Sequence, residues 1–449
     1  MSSQSRNATN RRSTSGGELT PEIYARRLLD SLACNQIQLP IRDDRFAGLL
    51  WAASGAMCLS GYAHELPRVC PAPLAACAQG AWLALASLVP QLDPHFSAYR
   101  LLGERAAISN LQRHGRRAAG GACTLYDTAD GVIALNLARD DDRELLSAWL
   151  EFAEVAEAEL GELLAKYQTG YLLERGRVLG LALASAAAPV RCDQWFYAKR
   201  FAPAVAKRSE PPLVIDLSGL WAGPLCGQIL GQCGARVIKV ESRSRPDGAR
   251  NGPKQFFDLM NGGKESVALD FRDTADQEIL RALIAKADIV IEAARPRALL
   301  QLGIVAAELI AENPGMTWLS ITGYGREAPM GDWIAYGDDA GVAAGLSWLM
   351  GGSHGDPVFC GDAIADPLTG LHAALLAYSS WQCGGGELLD ISLHRTVNYV
   401  VTAGASFASG VNKLAAEKAG DIAPPWARAV TVAAAELGAD TEKVLNEFL

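Results

Sequence analysis

Little in this chain is built for crosslinking, for crossing a membrane or for holding polyanions. Its ten cysteines are scattered and none falls in a Cys-x-x-Cys pair, which argues against a disulfide scaffold. No uninterrupted apolar stretch of about 18 residues occurs, so no transmembrane helix is predicted. A net charge of −9 leaves no basic excess for nonspecific binding of nucleic acid or anionic membrane. Glycine, at 44, and proline, at 21, are ordinary and exclude collagen-like or wholly disordered chains. No signal-peptide pattern opens the sequence; Met1 to Thr20 is rich in Ser, Asn, Arg and Gly and predicts a disordered tail. That stretch loosely resembles a transit peptide but lacks an amphipathic apolar face, so reduced cysteines in the cytoplasm are expected. What is there is 449 residues, 49% hydrophobic and 20% charged. At about 150 residues per domain this predicts two to four domains with real cores, and an enzyme.

Residues 21–118 read as helical, with an Ala- and Leu-rich run from Ala72 to Val89 bounded by prolines. Residues 119–200 predict a small α+β unit: strands at Cys123–Tyr126 and Val132–Leu137 about the Asp130-Gly131 turn, then a long helix from Asp142 to about Lys166. Residues 201–212 carry prolines and charges without period and predict a linker. From Leu213 the pattern becomes α/β. Short apolar strands at 213–217, 236–240, 267–269, 288–291 and 317–321 alternate with amphipathic helices, as in a Rossmann-like parallel sheet covered on both faces. Residues 213–395 form that large unit and 396–449 a C-terminal helical return. The segment Ala47 to Ser60 also parallels Ala340 to Ser353, and Ala72-Pro73-Leu74 parallels Asp366-Pro367-Leu368. Internal duplication and chance similarity of Ala-rich helices both explain this.

A strand, a Gly-bearing turn, a helix and a second strand closed by Glu241 suggest a dinucleotide site. The glycines Gly219, Gly223 and Gly227 do not make a Gly-x-Gly-x-x-Gly, so that fingerprint fails. Read whole, the phrase from Val214 to Glu241 resembles the opening of the family III CoA-transferases (CaiB/BaiF type), with Ala222-Gly223-Pro224 and Val237-Ile238-Lys239-Val240-Glu241 as characteristic pieces. Further pieces follow in the family's order: Asn261-Gly262-Gly263-Lys264 with Leu269-Asp270, Ala287 to Glu292 with Arg295-Pro296, Ser320 to Gly325, Ala365 to Gly370, and Gly384 to Leu393.

The resemblance implies a single aspartate nucleophile before a Thr/Ser-Gly pair, and Asp366 occupies that place. Locally, Asp366 before Pro367 also reads as an ordinary helix cap. It implies CoA contacts at Ala222, Gly223, Arg250, Leu269 and Arg272, within a basic cluster of Arg236, Lys239, Arg243, Arg245, Arg250 and Lys254. Backbone N–H groups near Thr369-Gly370 are expected to receive oxyanions. Asp338, Asp339 and Asp362 read as solvated loop residues or caps. The racemases of the same superfamily have Gly-His-Asp where this chain has Gly337-Asp338-Asp339; the missing histidine favours transfer over racemisation. His372 reads as packed or surface, and His354, in a Gly-rich loop, as a remote candidate for the site. Several family contacts depart: Trp221, Ser242, Ala293-Ala294, Gln301 and Ile334 replace polar or basic residues. Trp221 and the apolar run Val342 to Met350 hint at a bulky, apolar acid.

Only 56 residues follow Leu393, too few for the family's small domain. Asp130 to Leu135 and the following helix with Trp149 resemble that domain, which predicts an order permuted or fused and trimmed, with Ala72 in the nucleophile's place in a degenerate first half. The expectation is therefore a CoA-transferase that moves CoA from an acyl-CoA to a carboxylic acid through anhydride and aspartyl-CoA thioester intermediates. Its partners are those small molecules, with CoA as substrate, no metal, no nucleic acid, no membrane and a possible homodimer. An acyl-CoA racemase or isomerase, and a catalytically silent CoA-binding partner subunit, are the alternatives.

Overall fold

The computed structural model describes residues 19–34, 36–206, 210–352, 355–403 and 422–448. The expected tail up to residue 18, His354 and residues 404–421 of the C-terminal return lie outside the described residues.

Ten strands are assigned among the described residues: β1 (Cys123–Asp127), β2 (Val132–Asn136), β3 (Ala182–Ser185), β4 (Phe196–Arg200), β5 (Leu213–Asp216), β6 (Arg236–Ser242), β7 (Glu265–Leu269), β8 (Ile289–Glu292), β9 (Thr317–Thr322) and β10 (Glu387–Ser392). Seven form one sheet in the order β4-β10-β9-β8-β5-β6-β7, parallel throughout except where β4 runs antiparallel to β10. The chain winds outward from β5 through β6 to β7, then returns to β8 on the other side of β5 and continues to β9 and β10. That reversal is the switch point of a doubly wound sheet, where such folds open a crevice at the carboxyl ends of the strands.

Alternate residues of these strands enter opposite cores, as the pleat requires. Val214, Ile289, Ile291, Leu319 and Ile391 face the helices Leu74–Leu88, Ala222–Gln232, Ala365–Gln382 and Leu393–Ala403. Ile215, Val290 and Trp318 face Thr274–Ala285, Ala306–Glu312 and Thr441–Phe448. The helices Ala365–Gln382 and Ala222–Gln232 approach closely at Gly370, where a Cβ would lie 2.8 Å from the Ala222 carbonyl oxygen. This contact brings Ala222 to the start of the longer helix.

The second sheet, β1-β2-β3, is antiparallel and carries its own apolar core around Trp149. Four features differ from the sequence expectation. The small unit was expected to run to residue 200, yet Phe196–Arg200 pairs with Glu387–Ile391 as the edge of the large sheet. The long helix after Asp142 is broken into Leu145–Leu150, Leu160–Leu164 and Thr169–Leu179. Glu151 turns left-handed (φ 60°) and leads into an acidic run with no apolar stripe to bury. The expected linker is fixed at its start, where Phe201 and Ala202 donate N–H groups to the Gly386 carbonyl and Val205 to that of Gly384. Of the described residues of the C-terminal return, 396–403 complete the helix Leu393–Ala403, 422–440 hold no helix and Thr441–Phe448 is helical. No helix of the described residues is long and apolar enough to cross a membrane.

Candidate active site

Asp366 lies in the first turn of the 18-residue helix Ala365–Gln382, and its backbone N–H closes onto the Ala363 carbonyl at 2.9 Å. Ala363 has a left-handed backbone (φ 41°), which turns the Gly361–Ile364 segment sharply into the helix. A helix N-terminus favours negative charge. Four segments distant in sequence converge on this carboxyl. The Ala222 backbone N–H acts on it, pulling its pKa down. Gly337 lies flat against it: a Cβ there would stand 2.1 Å from Asp366 Oδ2 and 2.4 Å from the Ala363 oxygen. Arg105, from the helix Glu104–Ser109, binds Asp362 through Nε (2.8 Å) and Nη2 (2.5 Å) and lies 5.2 Å over the Trp221 ring. Asn136, at the end of β2, donates its amide to Asp339 Oδ1 at 2.8 Å.

Of the acids expected as solvated loop residues or caps, Asp339 does cap the helix Gly337–Ala343, accepting the Tyr336 N–H at 3.0 Å, but none is freely solvated and Asp338 is half-buried. Asp362 and Asp339 are fully buried. Asp338 accepts the Ala363 N–H at 2.8 Å. Burial, reinforced by the Asp362 charge, pushes the Asp338 carboxyl up to about 6. Burial lifts Asp339 to about 7. Asp366 is likewise raised to about 7 by burial, against the opposing pull of Arg105, with Asp338 adding to the rise. Burial works against the Arg105 charge, but Asp362 foremost, then Asp338 and Asp366, hold it firmly protonated. A carboxyl with a pKa near neutrality at a cavity wall has the poise of a functional acid, base or nucleophile.

Two cavities meet at Asp366, and Leu220, Tyr336 and Asp366 line both. One, of about 390 Å³, runs from Ala222, Gly223 and Thr322 towards Arg139, Arg245 and Arg295. It shares Gly219, Arg245, Ala294 and Ala298 with a further cavity of about 480 Å³ at the switch point, walled by Glu241, Ser242, Phe271 and Arg272. The side chains of Arg245 and Arg295 have no ion pair or hydrogen bond among the described residues. Burial, with the neighbouring charges of Arg297, Arg139 and Arg245, lowers the Arg295 pKa against the pull of Asp332. The other cavity at Asp366, of about 330 Å³, is walled by Trp221, Pro253 and Phe256 with Arg105, Asn136 and Asp338.

Of the residues expected to contact CoA, Ala222, Gly223 and Arg272 line these cavities and Arg250 and Leu269 do not. Arg250 is held by Glu241 through two hydrogen bonds (2.9 and 2.6 Å) and lies over the Phe257 ring. Leu269 is wholly buried in the sheet core. The rest of the expected basic cluster is largely structural. Lys239 is buried against Asp247 (3.0 Å), Arg236 is paired with Glu265 and Glu447, and Lys254 is paired with Asp258. Arg245 alone of the six lines the cavities. Thr369 and Gly370 fall in the second turn of the helix, where N–H groups close helical hydrogen bonds, so they are not free to receive an oxyanion as expected. His372 is fully buried, bonded to Tyr24 Oη at 2.8 Å and to the Leu368 carbonyl at 2.7 Å. Sequence reasoning missed Arg105, Asn136 and Tyr336, which no local motif marks. The residues expected to depart from the family pattern all line a cavity: Trp221 the apolar one, Ala293, Ala294 and Ile334 the cationic one, and Ser242 and Gln301 that at the switch point.

The model of CoA-transferase family III matches residues 212–435. An acyl-CoA transferase of Fusarium pseudograminearum is 33% identical over 202 residues, 41% of this chain and 44% of that protein. A succinyl-CoA–D-citramalate CoA-transferase of Chloroflexus aurantiacus is 30% identical over 195 residues, 41% of this chain and 48% of that protein. A crystal structure of a CaiB/BaiF family protein from Brucella suis covers 48% of this chain and 59% of that one, at 31% identity and a TM-score of 0.40. The chain spans about half the length of the two transferases it matches.

Proposed function

We propose, since residues 212–435 belong to CoA-transferase family III, that this chain moves CoA from an acyl-CoA to a carboxylic acid with Asp366 as nucleophile. One observation carries the proposal: the Asp366 carboxyl stands at the neck between a cationic cavity continuous with the switch point and a separate apolar cavity. A thioester carbonyl at that neck has CoA on one side and the acyl chain on the other. The carboxylate attacks the carbonyl carbon, the C–S bond breaks, and a mixed anhydride and CoA thiolate result. The thiolate then attacks the aspartyl carbonyl of the anhydride and releases the donor acid, leaving an aspartyl-CoA thioester. The acceptor carboxylate repeats the sequence in reverse and leaves with CoA. The Ala222 N–H and the helix N-terminus offset charge on the reacting carboxyl, and Arg105 adds a nearby cation.

Arg245 and Arg295 suit the CoA phosphates, with Arg272 at the edge of the adjoining cavity, in place of the missing family contacts. The ten cysteines are free thiols, which supports a reducing compartment such as the cytoplasm. A homodimer is part of the same proposal. The Asp366→Asn variant is expected to lose CoA exchange by about a thousandfold or more while remaining folded, as read by circular dichroism. Exchange retained in that variant would refute Asp366 as nucleophile.

A second reading has one observation in its favour. Asp338 lines the same apolar cavity as Asp366, so two carboxyls with raised pKa values face one acyl chain. Such a pair exchanges an α-proton if they reach opposite faces of the α-carbon. Deuterium wash-in at that carbon without CoA exchange would favour this racemase-like chemistry.

A further inference from the structure

Asp366 is approached from two sides of opposite character. On one side lie Arg139, Arg245 and Arg295; on the other, Trp221 and Phe256 meet edge to face with ring centroids 5.2 Å apart, and Pro253 completes the wall. Among the described residues, the only cationic side chain lining this second cavity is Arg105, whose Nε and Nη2 are already taken by Asp362. Against that single cation stand three carboxyls, Asp362, Asp338 and Asp366. The Asn136 amide is likewise turned to Asp339. A chain carrying its own carboxylate would leave water there for a site with no free positive partner and an excess of acids. Burying an unpaired charge is costly, whereas apolar surface gains on burial.

Resting on the proposed CoA exchange at Asp366, we infer that the cavity walled by Trp221, Pro253 and Phe256 takes the acyl chain and selects monocarboxylic acids with an apolar or aromatic chain over dicarboxylic acids. The apolar run Val342 to Met350 plays no part, because Val342, Leu346 and Met350 are buried in the cores. Length is limited by the cavity, about 330 Å³, which suits a medium aliphatic or single-ring group.

The test compares hexanoyl- and phenylacetyl-CoA with succinyl- and glutaryl-CoA on the full chain, by titration calorimetry and by thioester exchange. All four share the CoA moiety, so their ratio reports on the acyl cavity alone. The apolar pair is expected to bind at least about tenfold more tightly, a discrimination typical of a site that leaves a charge unpaired. Equal or tighter binding of the dicarboxylic thioesters overturns the inference. Exchange with succinyl-CoA favoured over hexanoyl-CoA overturns it while leaving transfer at Asp366 intact. The expected binding order without exchange of any donor upholds the cavity's selectivity and contradicts the transferase proposal instead.

Discussion

Carboxyl groups define the chemistry around Asp366, and their crowding makes it depend on pH. Asp338, Asp339 and Asp366 are raised to about 6, 7 and 7, chiefly by burial, so the folded chain holds protons between about pH 4 and pH 7 that the unfolded chain has released. Stability therefore falls as pH rises through that window, because the native state binds more protons than the unfolded one. Asp339→Asn keeps the oxygen that accepts from Asn136 and Tyr336 and removes the ionisation. Denaturation measured from pH 4 to pH 8 should show a shallower decline in that variant; an unchanged slope would contradict the assignment. Activity should move oppositely, with kcat/KM rising through about pH 7 as Asp366 ionises.

The elements carrying these groups were legible in unequal measure. Strands with continuous apolar character, such as Leu213–Ile215 and Ile289–Ile291, declared themselves because a buried parallel strand has no polar face to alternate with. The helix beginning at Ala365 was readable from its Asp-Pro start. The broken helices after Asp142 were not, since the left-handed turn at Glu151 carries no glycine signal. Arg105 and Asn136 were hidden for another reason: each joins the site by long-range packing that no local spacing records. Gly337 stood in a recognised phrase, but its need to lack a side chain appears only against the Asp366 helix. Gly337→Ala should push the carboxyl and the Ala363 turn apart, lowering stability by about 1–3 kcal/mol and kcat more than KM. Thermal unfolding with steady-state kinetics tests this, and a variant with wild-type kcat would show that the contact yields without consequence.

Over the whole molecule, the small sheet precedes the doubly wound sheet in sequence, yet it reaches the cavity of the large unit through Asn136 and Ala138. Length suggested several independent domains; the structure joins them at one site. The extended C-terminal stretch ties the chain together. Arg428 binds Glu104 through Nε (2.7 Å) and Nη2 (2.8 Å), and Glu104 is only 1% exposed. Glu104 opens the helix that carries Arg105, so this pair also steadies the site. Arg428→Ala leaves a buried carboxylate without its partner and should lower stability by about 3–5 kcal/mol in urea denaturation; a loss below about 1 kcal/mol would show that water replaces the partner. The most direct test of the proposed reaction is chemical trapping: the intact chain is incubated with an acyl-CoA and hydroxylamine, digested and analysed by mass spectrometry. A covalent aspartyl intermediate predicts a hydroxamate on Asp366 that forms only with acyl-CoA present, while an unmodified Asp366 in a sample that still exchanges CoA would contradict it.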